Sequence, residues 1–140
     1  MLSFVKMLIF ASLFINQFSF VHGRLSDLCL EKGTASYYGE HFHGKETANG
    51  EKFDQMAFTA AHRTLPFGTL VKVTNLANYE SVLVRINDRG PFNKHRIIDL
   101  SKGAAESIGL IESGVGEVLV ECVFEPNSII EYTNTKIDTL

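Results

Sequence analysis

Three side chains of the kind that move protons stand in separate polar stretches of the chain: Glu51, His62 and Asp88. Such a group, set beside a scissile bond, protonates the leaving atom or takes a proton from the attacking one. Asp88 ends the run Arg85-Ile86-Asn87-Asp88 and precedes Arg89-Gly90-Pro91. Partial burial at the end of an apolar strand favours the protonated acid, whereas Arg85 and Arg89 favour the carboxylate. The competing reading is a turn residue that pairs with Arg89. Glu51 follows the tight-turn pair Asn49-Gly50. It suits a contact to ligand hydroxyls, stabilisation of a cationic centre, or plain surface exposure. His62 suits a hydrogen bond to ligand or to Asp88, or a purely structural one.

Other chemistries lack their residues. His41 and His43 would share one face of a strand, with His62 and His95 elsewhere, and no Cys/His spacing fits zinc. No metal or cofactor is therefore expected. There is no serine nucleophile elbow, phosphate loop or dinucleotide fingerprint. A formal charge of −3 makes nucleic acid a poor partner. Tyr37, Tyr38, Phe42, Phe67 and Phe92 fall in or beside the polar stretches. Some suit stacking on a flat ligand face, while Phe67 and Phe92 read as core.

These stretches need a scaffold, and the intervening segments read as strands. Residues 69–74, 81–86 and 117–123 alternate and are rich in β-branched side chains. Residues 34–38, 57–61 and 96–100 are shorter candidates, and 75–80 forms a hairpin loop. One helix is expected, capped by Ser101, apolar at Ala104, Ala105 and Ile108, and ended by Gly109. Many short strands and one small helix predict a mainly β chain folded as a compact barrel. Residues 126–140 are polar, lack a period, and read as a tail.

The first 23 residues read as an export signal. Lys6 supplies a positive start, Met7 to Phe20 is mostly apolar, and Gly23 is the expected last residue removed. The alternative is a retained anchor, but Asn16, Gln17 and Ser19 interrupt the stretch and a span needs about 20 apolar residues. No membrane span is expected after cleavage. Export permits a bridge between Cys29 and Cys122; the alternative is two buried thiols.

Four blocks, 33–39, 47–51, 60–68 and 85–92, followed by Ile98-Asp99-Leu100-Ser101, resemble the rare lipoprotein A (RlpA-like) family. The likeness covers residues 33–123. It implies a six-stranded double-psi β-barrel over 24–125 and a periplasmic or cell-envelope location. It also implies an endolytic lytic transglycosylase acting on peptidoglycan, cleaving between N-acetylmuramic acid and N-acetylglucosamine to leave 1,6-anhydro ends. Glu51, His62 and Asp88 match the positions implicated in that activity and are expected to converge on one cleft. Tyr38, Asn49, Arg63, Asn87 and Arg89 are the expected substrate contacts. The chemistry fits, because breaking a glycosidic bond needs a proton on the bridging oxygen. The alternative is a non-catalytic, expansin-like protein that binds and loosens the wall. A secreted structural or inhibitory module is a third possibility. Longer family members add a SPOR domain that recognises glycan stripped of stem peptides, for which the 15 residues after Glu125 are too few, so the resemblance leaves septal targeting and a strong preference for bare glycan open.

Overall fold

The alternating β-branched runs fold as strands because a pleat sends their apolar side chains to one face. In the computed structural model, which describes residues 29–123, these are β1 (Leu30–Tyr37), β2 (Thr59–His62), β3 (Leu70–Asn75), β4 (Ser81–Asp88), β5 (Arg96–Leu100) and β6 (Val115–Cys122). Residues 31–123 belong to one compact unit. The expected export signal at 1–23 and tail at 126–140 lie outside the described residues.

The strands close into a six-stranded barrel in the order β1-β5-β2-β4-β3-β6. Closure leaves no long exposed edge to pair with another chain. β3 is antiparallel to both β4 and β6, with Val71 opposite Val84 and Val73 opposite both Val82 and Val120. Val71, Val73, Val84, Ile86, Ile98, Leu100, Val118 and Val120 are fully buried. This is the expected mainly β barrel with one short helix.

Two parallel pairs cross the barrel, β1 with β5 and β2 with β4, and each carries a bulge. In the second pair Ala60 faces Ile86 but Ala61 faces Asp88, so Asn87 is the extra residue. A bulge bends its strand and re-aims the side chains beyond it. Strict alternation after Val82, Val84 and Ile86 would put residue 88 on the core face. Instead Asn87 is buried beside Ile86, and Asp88 is left partly exposed.

The helix, α1 (Lys102–Ser107), plugs the barrel with Ala104 and Ala105. Ser101 Oγ accepts from the Ala104 N–H at 3.3 Å, the expected cap. Gly103 is required there, since a Cβ would lie 2.6 Å from the Met56 carbonyl oxygen. The segment carrying His41 and His43 is not a strand. Glu40–Phe42 forms a 3-10 turn, with Glu40 paired to Lys102 Nζ at 2.6 Å. That turn separates the two imidazoles: His41 lies against Phe42, and His43 Nδ1 accepts from the Gln55 N–H.

Candidate active site

Because of the two bulges, one row of residues runs across four neighbouring strands: Ser36, Asp99, Ala61, Asp88. With strands about 4.8 Å apart, the α-carbons of the two aspartates are separated by roughly 10 Å. Ala61, between them in the row, is fully buried and does not line the cleft. Ser36, Asp88 and Asp99 all line one open cleft of about 480 Å³, with Tyr38, Phe42, Lys45, Glu46, Arg89, Phe92 and Arg96 around them.

Asp88 is the best-held acid in this cleft. Its Oδ1 accepts the N–H groups of Ala48 and Arg89, both at 2.8 Å. Its Oδ2 accepts the Tyr38 hydroxyl at 2.6 Å. A carboxylate offers about four lone-pair positions, so Oδ2 keeps one for a ligand atom. Tyr38 is itself clamped, with its ring 4.8 Å from Phe53 and 5.5 Å from Phe42. Burial first, then the hydrogen bond to Asp88, pushes the Tyr38 phenol well above its ordinary value. It therefore remains a donor throughout the working pH range.

Asp99 was missed as a site residue by reading the sequence. Its Oδ1 accepts from Ser36 Oγ at 2.7 Å and from Arg96 Nε at 3.0 Å. The only signal was its place in the Ile98-Asp99-Leu100-Ser101 block. The register that brings it level with Asp88 is a long-range property that local pattern does not carry.

Glu51 and His62 do not line the cleft. Glu51 lies behind it, with Oε1 and Oε2 bonded to the two terminal nitrogens of Arg85 at 2.7 and 2.9 Å. Asn87 Nδ2 and Asn49 Nδ2 complete its shell at 3.1 and 2.9 Å. Arg85 above all, then the two asparagines, hold the Glu51 carboxyl at about 2. It is thus a fixed anion that ties the 47–51 turn to β4. That tie positions Ala48, whose N–H reaches Asp88.

His62 is buried, and both ring nitrogens are engaged. Nδ1 accepts from the Thr64 and Leu65 N–H groups, which leaves the proton on Nε2, 3.1 Å from Glu31 Oε2. Its bonds shape the 62–65 turn, and none reaches Asp88.

Arg89 lines the cleft, while its guanidinium donates to the His62 and Leu65 carbonyls and stacks 3.7 Å over the Phe67 ring. Arg63 donates to the carbonyls of Pro91, Asn93 and Arg96, stapling down the segment that carries Phe92. Asn49 and Asn87 serve Glu51. Of the expected substrate contacts, Tyr38 and Arg89 line the cleft; Arg63, Asn49 and Asn87 hold its walls.

The expectation that Phe67 and Phe92 belong to the core is corrected. Phe92 is 92% exposed on the cleft lip and Phe67 is 41% exposed. Pro91 takes the buried place in its loop, and the Arg89 guanidinium covers Phe67 in place of apolar neighbours. No cluster of three or more His, Cys, Asp or Glu able to hold a metal occurs among the described residues.

A family profile described as "Lytic transglycolase" matches residues 30–120. The chain is 65% identical over 94 residues to a probable endolytic peptidoglycan transglycosylase RlpA of Synechocystis sp., covering 67% of this chain and 29% of that protein. It is 59% identical over 91 residues to the endolytic peptidoglycan transglycosylase RlpA of Campylobacter jejuni, covering 65% and 33% respectively. The chain thus spans about a third of the length of these relatives. Among solved structures, the Streptomyces papain inhibitor aligns with a TM-score of 0.56 at 23% identity, covering 68% of this chain and 94% of that one. An expansin of Clavibacter michiganensis aligns with a TM-score of 0.56 at 17% identity, covering 69% and 52%. Both likenesses concern the barrel alone. With its bulged parallel pairs and closed six-strand order, matched along nearly all of the described residues, the chain belongs to the lytic transglycolase family of RlpA-like double-psi β-barrels.

Proposed function

We propose that this protein is an exported endolytic peptidoglycan lytic transglycosylase and that Asp88 is its acid and base. The observation that carries the reading is the Asp88 carboxyl, fixed by three donors in an open cleft with one Oδ2 position unfilled. Protonated Asp88 gives its hydrogen to the oxygen bridging muramic acid C1 to the next sugar, and the C1–O bond breaks. The muramic acid C6 hydroxyl then attacks C1 and returns a proton to Asp88. No water is consumed, and a 1,6-anhydro end is left. One carboxyl serves both steps, unlike the paired carboxylates of glycosidases. Tyr38 keeps its hydrogen bond to Oδ2 throughout and strengthens it as charge develops there.

The similarity to proteins named as endolytic peptidoglycan transglycosylases supports this reading. Glu51 and His62 take part as positioning residues, the first through Ala48 and the second through the turn beneath Arg89. Export to an oxidising envelope compartment agrees with both cysteines being disulfide-bonded, which we read as a Cys29–Cys122 bridge. The test is incubation with purified glycan strands and mass spectrometry of the products. Anhydromuramyl ends should appear with the wild type and vanish with Asp88→Asn.

A second reading draws on the exposed Phe42 and Phe92 rings at the lips of the cleft. They suit gripping a glycan without cutting it, as a wall-loosening protein would. Binding to sacculi with no released product selects that reading.

A further inference from the structure

We infer that Lys45 forms a carboxylate-binding subsite in the cleft and recognises the lactyl carboxylate of a muramic acid next to the cleaved bond; this rests on the proposed transglycosylase reading. Three cations line the cleft: Lys45, Arg89 and Arg96. Arg96 is taken up by Asp99. Arg89 is spent on the His62 and Leu65 carbonyls and on the Phe67 ring. Lys45 alone of the three has no side-chain hydrogen bond or ion pair among the described residues, and its ammonium stands 5.1 Å from the centre of the Phe42 ring.

The placement of this cation is built by the backbone. The Lys45 N–H donates to the Phe42 carbonyl at 3.0 Å, and its own carbonyl accepts from the Phe53 N–H at 2.7 Å. Phe42 meets Tyr38 edge-on, and Tyr38 holds Asp88. A continuous wall therefore leads from the acid to a cation in reach of the solvent that is not committed to any anion. Glu46, Asp88 and Asp99 supply the negative charge of the cleft, and Arg96 balances the last. Where its stem peptides are absent, a glycan of alternating N-acetylglucosamine and muramic acid is neutral except for one lactyl carboxylate per repeat. An ammonium on the wall of a glycan cleft is complementary to that group, and an apolar ring beneath it fits a sugar face. A lysine here distinguishes muramic acid from its neutral neighbour, which sets the register of the strand over Asp88.

The test measures binding of fluorescently labelled glycan strands freed of stem peptides, the same strands with lactyl carboxylates converted to methylamides, and strands that keep their peptides. The wild type should bind the carboxylate form about fivefold tighter than the methylamide form, the scale of one partly exposed ion pair. Lys45→Gln should erase that difference and Lys45→Arg should keep it. Lys72→Gln, on β3 and outside the cleft lining, should behave as wild type. Tight binding of the peptide-bearing strands, whose lactyl group is already an amide, would overturn the assignment to the lactyl carboxylate. A difference that survives in Lys45→Gln would overturn the subsite itself. Anhydro products are scored in parallel. Products without a carboxylate preference count against the subsite alone, and a preference without products counts against the activity alone.

Discussion

Tyr38, rather than Glu51 or His62, makes the closest contact to Asp88 and explains how that acid is aimed. Its hydroxyl lies 2.6 Å from Oδ2. Tyr38→Phe keeps the ring between Phe42 and Phe53 and removes only this donor. Turnover of glycan should fall about tenfold or more with little change in KM, the scale of one charge-assisted hydrogen bond; a merely structural ring would leave kcat alone. Asp99→Asn should loosen Arg96 and Ser36, seen as a rise in KM in the same assay. The proton-moving character of Glu51, His62 and Asp88 was legible in the sequence, but their division of labour was not. Residue type says which groups can carry a proton. The donors that surround each one, such as Arg85 at Glu51 or the Thr64 and Leu65 N–H groups at His62, come from distant or folded-back segments and decide which one meets the cleft.

The stability of the 47–51 turn responds to pH. Folding lowers the Glu51 carboxyl from 4.5 to about 2 through Arg85, Asn87 and Asn49. The native state therefore binds fewer protons than the unfolded one in that window, and the stabilisation is complete above about 4.5 and lost as pH falls towards 2. Amide protection factors in residues 47–51, taken against the intrinsic rate at each pH, should fall across that range, and Glu51→Gln should show the low protection at neutral pH already. A profile with no such dependence would remove Glu51 as the tether. The 91–96 segment makes a matching case: Arg63→Ala releases three carbonyls and should raise exchange there while leaving the strands protected. Strand positions were readable because alternation is local, as with residues 96–100, which form β5 with the expected bounds. The bulge at Asn87 was not readable, since it follows from pairing with a strand some 25 residues earlier. The same holds for the 3-10 turn at Glu40–Phe42, which depends on a partner at Lys102.

At the scale of the whole molecule, one small core carries the stability. Ile98, next to Asp99 in β5, is fully buried in the core, and Ile98→Ala should cost about 2–5 kcal/mol, read as a lower urea midpoint. A Cys29–Cys122 bridge would close most of the chain, so reduction should lower stability by about 4.6 kcal/mol in the loop-entropy picture; an unchanged melting temperature in reductant would argue against the pairing. The barrel was legible from composition and spacing, because short β-branched strands, frequent turns and one helix leave few closed arrangements. The closing order, and the row that brings Ser36, Asp99 and Asp88 level, needed the folded chain. Digestion of purified glycan strands by wild type and Asp88→Asn, with products identified by mass spectrometry and binding measured in parallel, tests the role of Asp88 most directly. Anhydromuramyl ends from the wild type, and none from a variant that still binds the strands, is the predicted result; undiminished release of those ends by Asp88→Asn would contradict it.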